Sequence, residues 1–592
     1  MNVVGIDLGT TNSEVSVLAD AHPLVLSVDG SPLVPSVVSV DDAGQALVGQ
    51  SAVNGELLAP ERTVRWVKRQ MGTGQSLELG GRVWSPAMVS SRILAYLKAA
   101  AEAHLGEEVS RAVITVPAFF DERAREDTQQ AAELAGLEVL RLLNEPTAAA
   151  AAYAMGQRRR ERWLIYDLGG GTFDVSVVDC SEDVMEVLAS HGDTRLGGHD
   201  LDQLVARRAA DAFAQEHGID LMEDRCASLR VLQAAEAAKI QLSTDGVAQV
   251  RGEYIAVRDG IDLHLDHRLE RHEFEALAAP LIERTLASVD MALSDASCAP
   301  SDLARVILVG GTTRMPLVAE LLRERLGIEP QGWLDPDRVV ARGAAIEAAA
   351  LAGVSVGAEM VDITPHSLGT KVLSIGDRLR NHILVRRNTP LPCAGSHTFY
   401  KMSPLQERIE VDVLQGESPD PGANHLLGRF EVTGLGDSLQ MEIHFRFDLD
   451  RSGLLRVSVE HLGSGVSVER VIERGDDGIR RIELGEIPAV RLDDAAVVLA
   501  ADDTDFAPPA SALTVDDQTD AATGADVVSL DRVAAPAVEV ADDDAIVRAQ
   551  DLLASDGLDG PDREELQQTL AAVTAREAGA HQQLVDLLYF LE

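Results

Sequence analysis

The sequence predicts a multidomain fold: a two-lobed α/β domain, an antiparallel β-sandwich, an acidic disordered segment and a small α-helical hairpin. Three observations favour this fold class. A hairpin with a glycine turn near the N-terminus recurs later in the chain, and short alternating strands replace the α/β pattern after about residue 363. Residues 489–544 are rich in Asp, Ala, Pro and Thr. A repeated unit of this kind favours two similar lobes that face each other across a cleft.

The repeated hairpin is the strongest signal for a binding site. Residues 163–179, WLIYDLGGGTFDVSVVD, predict strand, tight glycine turn and strand, and residues 3–18, VVGIDLGTTNSEVSVL, match them. Glycine turns let backbone amides approach a phosphate. Asp7 and Asp167 would reach one ligand from opposite walls, and such carboxylates suit hydrated Mg²⁺. One copy alone could be a plain hairpin; two copies with matching acids favour a site.

Between the hairpins the pattern is mainly helical. Residues 62–72 look helical and carry Lys68, for which a plain surface lysine is the alternative interpretation. Residues 87–105 predict a helix and residues 111–117 a buried strand. Glu145 opens a later alanine-rich helix, where an acid suits the helix dipole, so that a capping role stands beside a catalytic one.

The second lobe carries further turns that suit a nucleotide. A double glycine precedes the helix that starts near residue 198, and residues 305–316, RVILVGGTTRMP, predict strand, double glycine and helix start. Residues 227–243 predict an amphipathic helix, for which a solvated polar face is the alternative interpretation. Three polar residues share one face of that helix: Glu236, Lys239 and Ser243.

Composition excludes several classes of partner and site. The 592 residues carry a net charge of −44, which argues against nucleic acid or an anionic membrane as the main partner. The four cysteines are widely spaced and lack a CxxC pair, which fits a reducing compartment and no zinc site. The chain starts directly with strand-like residues, and no apolar run approaches the roughly 20 residues of a membrane span. We therefore expect a cytoplasmic protein.

Together the motifs resemble the heat-shock protein 70 (DnaK-like) chaperone family. Residues from 1 to about 485 carry them in order: GIDLGTTNSEV, AVITVPAFFDERAR, VLRLLNEPTAAAAAY, YDLGGGTFDVSVV, GDTRLGGHDLD, ILVGGTTRMP and DPDRVVARGAA, then VDITPHSLG, VLQGE, LLGRFEVTGL and FDLDRSGLLRVS. The resemblance implies an actin-like nucleotide-binding ATPase domain and a peptide-binding sandwich. The expected boundaries are ATPase domain 1–353, linker 354–362, sandwich 363–488, acidic segment 489–544 and lid-like hairpin 545–592.

The resemblance also implies ligands, partners and residue roles. It implies ATP or ADP with Mg²⁺, K⁺ as a further candidate ion, unfolded or extended polypeptides as clients, a J-domain co-chaperone and a nucleotide exchange factor. The residues implied in hydrolysis are Lys68, Asp7, Glu145, Asp167, Thr172 and Asp174. Asp7 and Asp167 would hold Mg²⁺ through water. The residues implied in nucleotide binding are Gly9, Thr10, Thr11, Asn12, Gly169, Gly170, Gly171, Gly197, Gly198, Glu236, Lys239, Ser243, Gly310, Gly311, Arg314 and Asp337.

A third set of residues is implied in peptide binding and in coupling between the domains. Leu373, Phe399 and Ile409 fall at peptide-groove positions, although ordinary core residues are the alternative. The coupling positions are Pro117, Arg125, Arg141, Asn144 and Asp362.

The chain also departs from the family pattern. Glu359 stands in the linker where the family has an apolar side chain that docks in a groove, so weaker coupling is expected. Ile240 stands where some relatives place an arginine over the adenine, and Thr370 and Lys401 occupy groove positions that are more often apolar or neutral. The acidic segment separates the sandwich from a shortened hairpin.

Two rival functions follow from these departures and from the fold. A weakly coupled holdase or dedicated adaptor of the same family would bind ATP and peptide without a working cycle. A sugar kinase or an actin-like filament protein would use the same ATPase fold, although neither needs a β-sandwich after residue 362. The acidic segment could act as an internal pseudo-client or as an entropic spacer.

Overall fold

The computed structural model describes residues 3–19, 22–155, 160–181, 184–332, 334–354, 358–373, 378–400, 408–433, 442–461, 466–471, 480–483, 566, 567 and 570. The chain divides into two compact units: one comprises Met1–Thr370, His382–Glu417 and Asn424–Leu484, and the other Lys371–Asn381, Ser418–Ala423 and Gly485–Glu592. The acidic segment lies outside the described residues, and so does the C-terminal hairpin apart from helical Leu566, Gln567 and Leu570. Among the described residues, no helix is both long and apolar enough to cross a membrane.

Lobe I of the larger unit is built on the first hairpin. Its main sheet has the strand order Glu138–Asn144, Arg111–Val116, Val3–Asp7, Asn12–Ala19 and His22–Val25, and Val34–Pro35 also pairs with Asn12–Ala19. Two smaller sheets contain Ala46–Val48, Val38–Val40 and Thr63–Val64, and Leu77–Leu79 with Arg82–Trp84. The helices are Gln50–Glu56, Pro86–Leu105 and Glu122–Leu134. A continuous apolar core fills this lobe, which fixes the hairpin on a rigid base.

Lobe II repeats the arrangement on the second hairpin. Its sheet has the strand order Arg305–Val309, Glu161–Leu168, Phe173–Cys180, Val184–Asp193 and Glu359–Val361. The strands Val247–Arg258 and Ile261–Glu270 form a separate hairpin. The helices are Gly198–His217, Arg225–Leu242, Arg271–Asp295 and Pro316–Leu326, with short 3₁₀ turns at Pro300–Asp302 and Gly311–Arg314. The strand–turn–strand prediction for residues 163–179 is therefore confirmed.

A pair of small-residue helices joins the two sheets. Helix Glu145–Ala154 packs against helix Val339–Leu351. A Cβ atom on Gly343 would lie 1.8 Å from the carbonyl oxygen of Ala148, so only glycine permits this approach. The surrounding core draws residues from both lobes. The alanine-rich sequences of these helices thus allow the close contact that holds the lobes beside each other.

The helix expected over residues 62–72 is wrong. Residues Thr63–Val64 form a short strand, and only Val67–Gln70 makes a 3₁₀ turn. Trp66 has φ of 55°, in the left-handed region, which stops a continuous helix. At the other end Gly72 has φ of 77°, and its N–H donates to Asp127 Oδ2 at 2.6 Å. Local periodicity favoured a helix, and tertiary contacts at both ends overrode it.

The β-rich part begins after the two lobes. One sheet has the strand order Leu379–Val385, Leu368–Leu373, Arg408–Gln415, His425–Thr433 and Arg480–Glu483, and the second has the order Cys393–Tyr400, Glu442–Leu449, Leu455–His461 and Val466–Val471. Residues 450–453 make the turn between strands Glu442–Leu449 and Leu455–His461, and Gly453 has φ of 75°. In the smaller unit, the Asn381 N–H donates to the Pro419 carbonyl at 3.0 Å.

Part of the expected linker is a strand. Glu359–Val361 pairs in parallel with Val184–Asp193 and so forms the edge of the lobe II sheet. Met360 faces the core and is buried, whereas Glu359 is exposed with its side chain 3.9 Å from Arg451. The exposed position of Glu359 agrees with the loss of an apolar contact, and the weaker coupling expected from that loss stays a prediction. Strand alternation turns Met360 inward and Glu359 outward.

Candidate functional site

A cavity of about 620 Å³ lies where the two repeated hairpins meet. Eighteen of the residues selected from the sequence line it, although they are spread from residue 7 to residue 337: Asp7, Gly9, Thr10, Thr11, Asn12, Lys68, Glu145, Asp167, Gly169, Gly170, Thr172, Glu236, Lys239, Ser243, Gly310, Gly311, Arg314 and Asp337. Four others are next to lining residues: Gly171, Gly197 and Gly198 by close approach, and Asp174 by strand pairing with Asp167. The cavity is large enough for a nucleotide-sized ligand.

The two glycine turns approach each other closely at the cavity. A Cβ atom on Gly170 would lie 2.0 Å from Thr11 Oγ1, and one on Gly197 would lie 2.5 Å from the Gly171 nitrogen. The Gly198 N–H donates to the Gly169 carbonyl at 2.9 Å. A side chain at Gly170 would overlap Thr11 of lobe I, and one at Gly197 would overlap the backbone of the neighbouring lobe II turn, so glycine is required at both positions. The turns therefore present backbone and small hydroxyl groups to the cavity, which suits phosphate.

Four acids surround the inner end of the cavity: Asp7, which is partly buried, and the buried residues Glu145, Asp167 and Asp174. Asp7 accepts a hydrogen bond from Thr115 Oγ1 at 2.7 Å, and Asp174 accepts one from the Phe119 N–H at 3.0 Å. Burial, and then the charge of Glu145, raises the pKa of Asp7 to about 6 and that of Asp174 to about 7. The same two causes raise the pKa of Asp167 well above its usual range. Such a cluster of buried carboxyl groups favours a bound cation.

Lys68 is the basic group among these acids. Its ammonium group forms an ion pair with Glu145, and both side chains are almost completely buried. The Lys68 nitrogen lies 5.9 Å from the ring centroid of Phe120. The plain surface interpretation of Lys68 is wrong, because the 3₁₀ turn Val67–Gln70 directs this residue into the cavity. The pair places one positive charge beside the carboxylates at this end of the cavity.

The outer end of the cavity is a network of ion pairs. Lys239 lies 2.7 Å from Asp202 and donates to the Gly198 carbonyl at 3.2 Å. Arg314 lies 2.7 Å from Asp337 and 2.8 Å from Asp335, and it is half exposed. These pairs hold the side chains at fixed positions around the opening. Ile240 also lines the cavity and is largely exposed.

The sequence interpretation missed several lining residues. Thr312 Oγ1 donates to the Gly169 carbonyl at 2.9 Å, and Asp202 pairs with Lys239, so both brace the lining. Glu14 lines the cavity although it is absent from the residues selected from the sequence. Its position opposite Asp7 in the strand pairing was the signal that could have identified it. Leu33, which lies in no quoted motif, and Met315, near the end of the 305–316 motif, add apolar surface to the lining.

The residues implied in coupling form two buried groups. Arg141 contacts Glu347 at 2.6 Å and Asp362 at 3.1 Å, and Thr147 also donates to Asp362. This group joins lobe I to the segment that follows the edge strand. Asp362 itself is almost fully buried, so its charge is compensated by these two partners.

The second coupling group contacts the β-rich part. Arg125 donates to Asn144 Oδ1 at 2.8 Å and to the Ser452 carbonyl at 3.1 Å. Pro117 accepts a hydrogen bond from the Phe120 N–H at 3.2 Å. Arg125 is fully enclosed, so each of these contacts is made away from water.

The three groove positions have different surroundings. Phe399 and Ile409 are partly buried, and the Phe399 ring lies 4.8 Å from His397 and 5.0 Å from Phe445 between centroids. Leu373 belongs to the smaller unit and is 41% exposed. Thr370 is buried, and Lys401 lies outside the described residues. A groove role for these residues stays a prediction.

Direct metal ligation has little geometric support in the described part of the chain. Within it, no group of three or more His, Cys, Asp or Glu side chains is arranged to hold a metal ion. Asp7 and Asp167 nevertheless line the same cavity from the two lobes. Because hydrated Mg²⁺ keeps several waters, contact with these two carboxylates through metal-bound water stays a prediction.

Comparison with known proteins gives one consistent result. A family model described as "Hsp70 protein" matches residues 3–79 and 74–486. The "Chaperone protein DnaK" of Thermotoga petrophila is 42% identical over 495 residues, which cover 81% of this chain and 82% of the relative. The protein of the same name from Thermotoga sp. strain RQ2 matches equally well. The matched region includes every residue that lines the cavity.

Proposed function

The chain belongs to the Hsp70 family, and we propose that it is an ATP-dependent molecular chaperone that binds unfolded or extended polypeptide segments. The observation that carries this proposal is the meeting of two matching hairpins, with Asp7 and Asp167, at one cavity that also contains Lys68. The family membership supplies the expectation of an ATPase joined to a peptide-binding sandwich. The geometry of the cavity supports the nucleotide part of that expectation.

The proposed reaction transfers the γ-phosphoryl group of ATP to water. This chemistry depends on positioning and charge neutralisation more than on a covalent intermediate. The glycine turns at Gly170 and Gly197 would hold the phosphates, and Lys68, held by Glu145, would place the attacking water. Asp7 and Asp167 would hold hydrated Mg²⁺, which neutralises phosphate charge when bound. Asp174 and Thr172 would complete this inner end, and K⁺ is a further candidate ion.

The outer end of the cavity would bind the nucleoside. Glu236, Lys239 and Ser243 come from one helix face, and Arg314 with Asp337 comes from the turn after Arg305–Val309. Because Ile240 stands beside them and is apolar, any planar contact with the base would come from Arg314. This division gives phosphate and nucleoside separate walls of one cavity.

Coupling between nucleotide and peptide is the finer part of the proposal. ATP binding would open the peptide site, and hydrolysis would close it. The docked strand Glu359–Val361 and the Arg125 contact with Ser452 support a physical path for this coupling. The groups around Arg141 and Asp362 would also serve a J-domain co-chaperone. We also propose that a nucleotide exchange factor acts on this chain and that the protein is cytoplasmic.

Release of a fluorescent unfolded peptide, measured with ADP and then with ATP, tests the coupling. We expect ATP to accelerate release many-fold, because the linker strand joins the ATPase sheet to the β-rich part. Equal release in both nucleotides would instead support the weakly coupled holdase or adaptor. Phosphorylation of glucose by the full chain would support the sugar-kinase alternative, which the β-rich part and the family membership disfavour.

A further inference from the structure

Phe119 of lobe I stands between the inner end of the cavity and the β-rich part of the chain. Its N–H donates to Asp174 Oδ1 at 3.0 Å, and its carbonyl oxygen lies 3.3 Å from His366 Nε2. Because a carbonyl oxygen can only accept, the hydrogen of this second bond lies on His366 Nε2. One residue therefore hydrogen-bonds both an acid implied in hydrolysis and a side chain that follows the linker.

The phenyl ring of Phe119 contacts two imidazole rings. The ring of His366 meets it edge-on, with the centroids 4.3 Å apart and the planes inclined by 65°. The ring of His191, from a lobe II strand, has its centroid 4.9 Å away. Edge-on and tilted ring contacts at these distances are favourable. Phe119 therefore contacts lobe II and the β-rich part through its ring as well as through its backbone.

Little free space surrounds the hydrogen bond between Phe119 and Asp174. A Cβ atom on Gly192 would lie 2.8 Å from Asp174 Oδ1 and 3.0 Å from Phe119 Cβ. These distances leave no room for a side chain, so the backbone of lobe II packs directly against both residues. A displacement of Phe119 would therefore have to move Asp174 or lengthen the hydrogen bond between them.

The chain around His366 is held by further contacts. The N–H and the hydroxyl of Ser367 each donate to Glu417 at 2.7 Å, and Ser367 Oγ accepts from the Arg387 N–H at 2.9 Å. The Arg387 side chain contacts Asp295, the last residue of a lobe II helix, at 2.8 Å. A shift of this segment relative to the lobes would therefore carry His366 with it.

We propose that His366 is a positioning residue that couples the β-rich part to Asp174, and that it acts through Phe119. The His366 bond holds the Phe119 carbonyl, and the Phe119 N–H holds the Asp174 carboxyl group at the inner end of the cavity. A change at either end reaches the other through these two bonds. The proposal rests on the coupling proposed above, and it adds two residues that the motif-derived set does not contain.

Release of a fluorescent unfolded peptide from the full chain, with ATP and with ADP, tests this path. His366→Phe keeps a ring but removes the donor, so the acceleration of release by ATP should fall about fivefold. Release with ADP should stay the same, because a general defect of the β-rich part would alter release with either nucleotide. His366→Gln retains an N–H donor without the ring and should keep most of the acceleration. His272→Gln, at a largely exposed position of lobe II, is the matched control and should behave as the unaltered chain does.

A double-mutant cycle separates a path through Phe119 from an independent effect of His366. Asp174→Ala removes the acceptor of the Phe119 N–H. If both side chains act through Phe119, the chain with Asp174→Ala and His366→Phe should lose no more acceleration than the more impaired single variant. Calorimetric titration with ATP is run on each variant, so that release is compared at saturating nucleotide.

Three results would overturn the path. They are undiminished acceleration in His366→Phe, equal losses in His366→Phe and His366→Gln, and losses that multiply in the double variant. His366→Leu also lacks the donor and replaces His366→Phe if the larger ring prevents folding. Equal release from the unaltered chain with ATP and ADP would overturn the proposed coupling itself, which separates that failure from a failure of His366.

Discussion

The indole ring of Trp66 lies against the imidazole ring of His199, with the ring centroids 3.8 Å apart and the planes inclined by 34°. Trp66 belongs to lobe I and stands two residues before Lys68, whereas His199 lies in the first turn of a lobe II helix. Trp66 adopts φ of 55°, which costs energy for a bulky residue. The ring contact therefore joins the two lobes beside the cavity.

Loss of this ring contact should accelerate nucleotide release. Aromatic pairs contribute about 0.5–1.5 kcal/mol beyond buried area, so Trp66→Ala should raise the ADP dissociation rate about two- to tenfold. Displacement of fluorescent ADP in stopped flow measures this rate. Trp66→Phe keeps a ring and should change it less. An unchanged rate in Trp66→Ala would show that opening of the lobes is not limited by this contact.

Lys68 should be required for hydrolysis more than for binding. Lys68→Ala should abolish steady-state ATP turnover while ATP still binds, because the amides of the glycine turns remain in place. Turnover and calorimetric ATP affinity are measured on the same sample. Arg69→Ala, next in sequence and partly exposed, removes a contact to Asp200 and should retain turnover. Retained turnover in Lys68→Ala would remove Lys68 from the catalytic group.

The Lys68 substitution also has a predictable effect on stability. It leaves Glu145 buried without its cation, and breaking a buried pair costs about 3–5 kcal/mol. A thermal scan without nucleotide should therefore show a lower midpoint for Lys68→Ala than for Lys68→Ala/Glu145→Gln. Equal midpoints would mean that Glu145 finds another partner or becomes protonated.

The edge strand Glu359–Val361 should be needed for ATP to accelerate peptide release, and its buried residue Met360 should hold it in place. Met360→Asp places a charge in the core beside Met185, so the strand should detach and ATP should no longer accelerate peptide release. Glu359→Leu is the matched control, because Glu359 is exposed and should tolerate the change. Peptide dissociation with ATP and ADP is compared for both. Normal acceleration in Met360→Asp would exclude the docked strand from the coupling path.

Glu122 should make stability fall as the pH rises. Its buried carboxyl group accepts a hydrogen bond from the Leu455 N–H, and burial raises its pKa from 4.5 to about 8. Between these values the folded state binds more protons than the unfolded state, so the stabilisation is present below about pH 4.5 and is lost as the pH rises to about 8. Glu122→Gln should therefore have a higher thermal midpoint than the unaltered chain at pH 9, and the gain should shrink towards pH 5.

A surface acid provides the comparison for the Glu122 experiment. Glu133 is an exposed residue of the same helix, and Glu133→Gln should leave the pH dependence of the thermal midpoint as it is. A Glu122→Gln curve parallel to that of the unaltered chain would mean that Glu122 titrates at its ordinary pKa in the folded protein.

The sequence predicted the secondary structure correctly where the apolar residues of a helix or strand recur at regular spacing. The hairpin at residues 163–179 alternates and has a glycine turn, and the structure contains its two strands Glu161–Leu168 and Phe173–Cys180. The helix predicted over residues 87–105 begins at Pro86 after a Ser85 cap and ends before Gly106, which has φ of 69°. The spacing of apolar residues and the capping residues are properties of neighbouring positions in the chain, so the sequence was sufficient to predict these elements.

Sequence was less informative where distant contacts decide the conformation. The 62–72 segment has a helical pattern, but Trp66 turns to meet His199 and Gly72 is held by Asp127. The sequence also does not show that pairing with Val184–Asp193 turns Met360 into the core and leaves Glu359 exposed. Neither result follows from propensity, because each depends on a partner far away in the chain.

The sequence by itself determined the family, the order of the elements and most of the residues that line the cavity, because motif spacing and strand or helix period are written along the chain. Only the tertiary structure decided which acid has a partner. Asp7 accepts a hydrogen bond from Thr115, whereas neither carboxyl oxygen of Glu14 has a hydrogen-bond partner among the described residues. The reason is physical: burial and charge compensation depend on the distances between atoms of separate strands, and those distances exist only after the lobes have packed together.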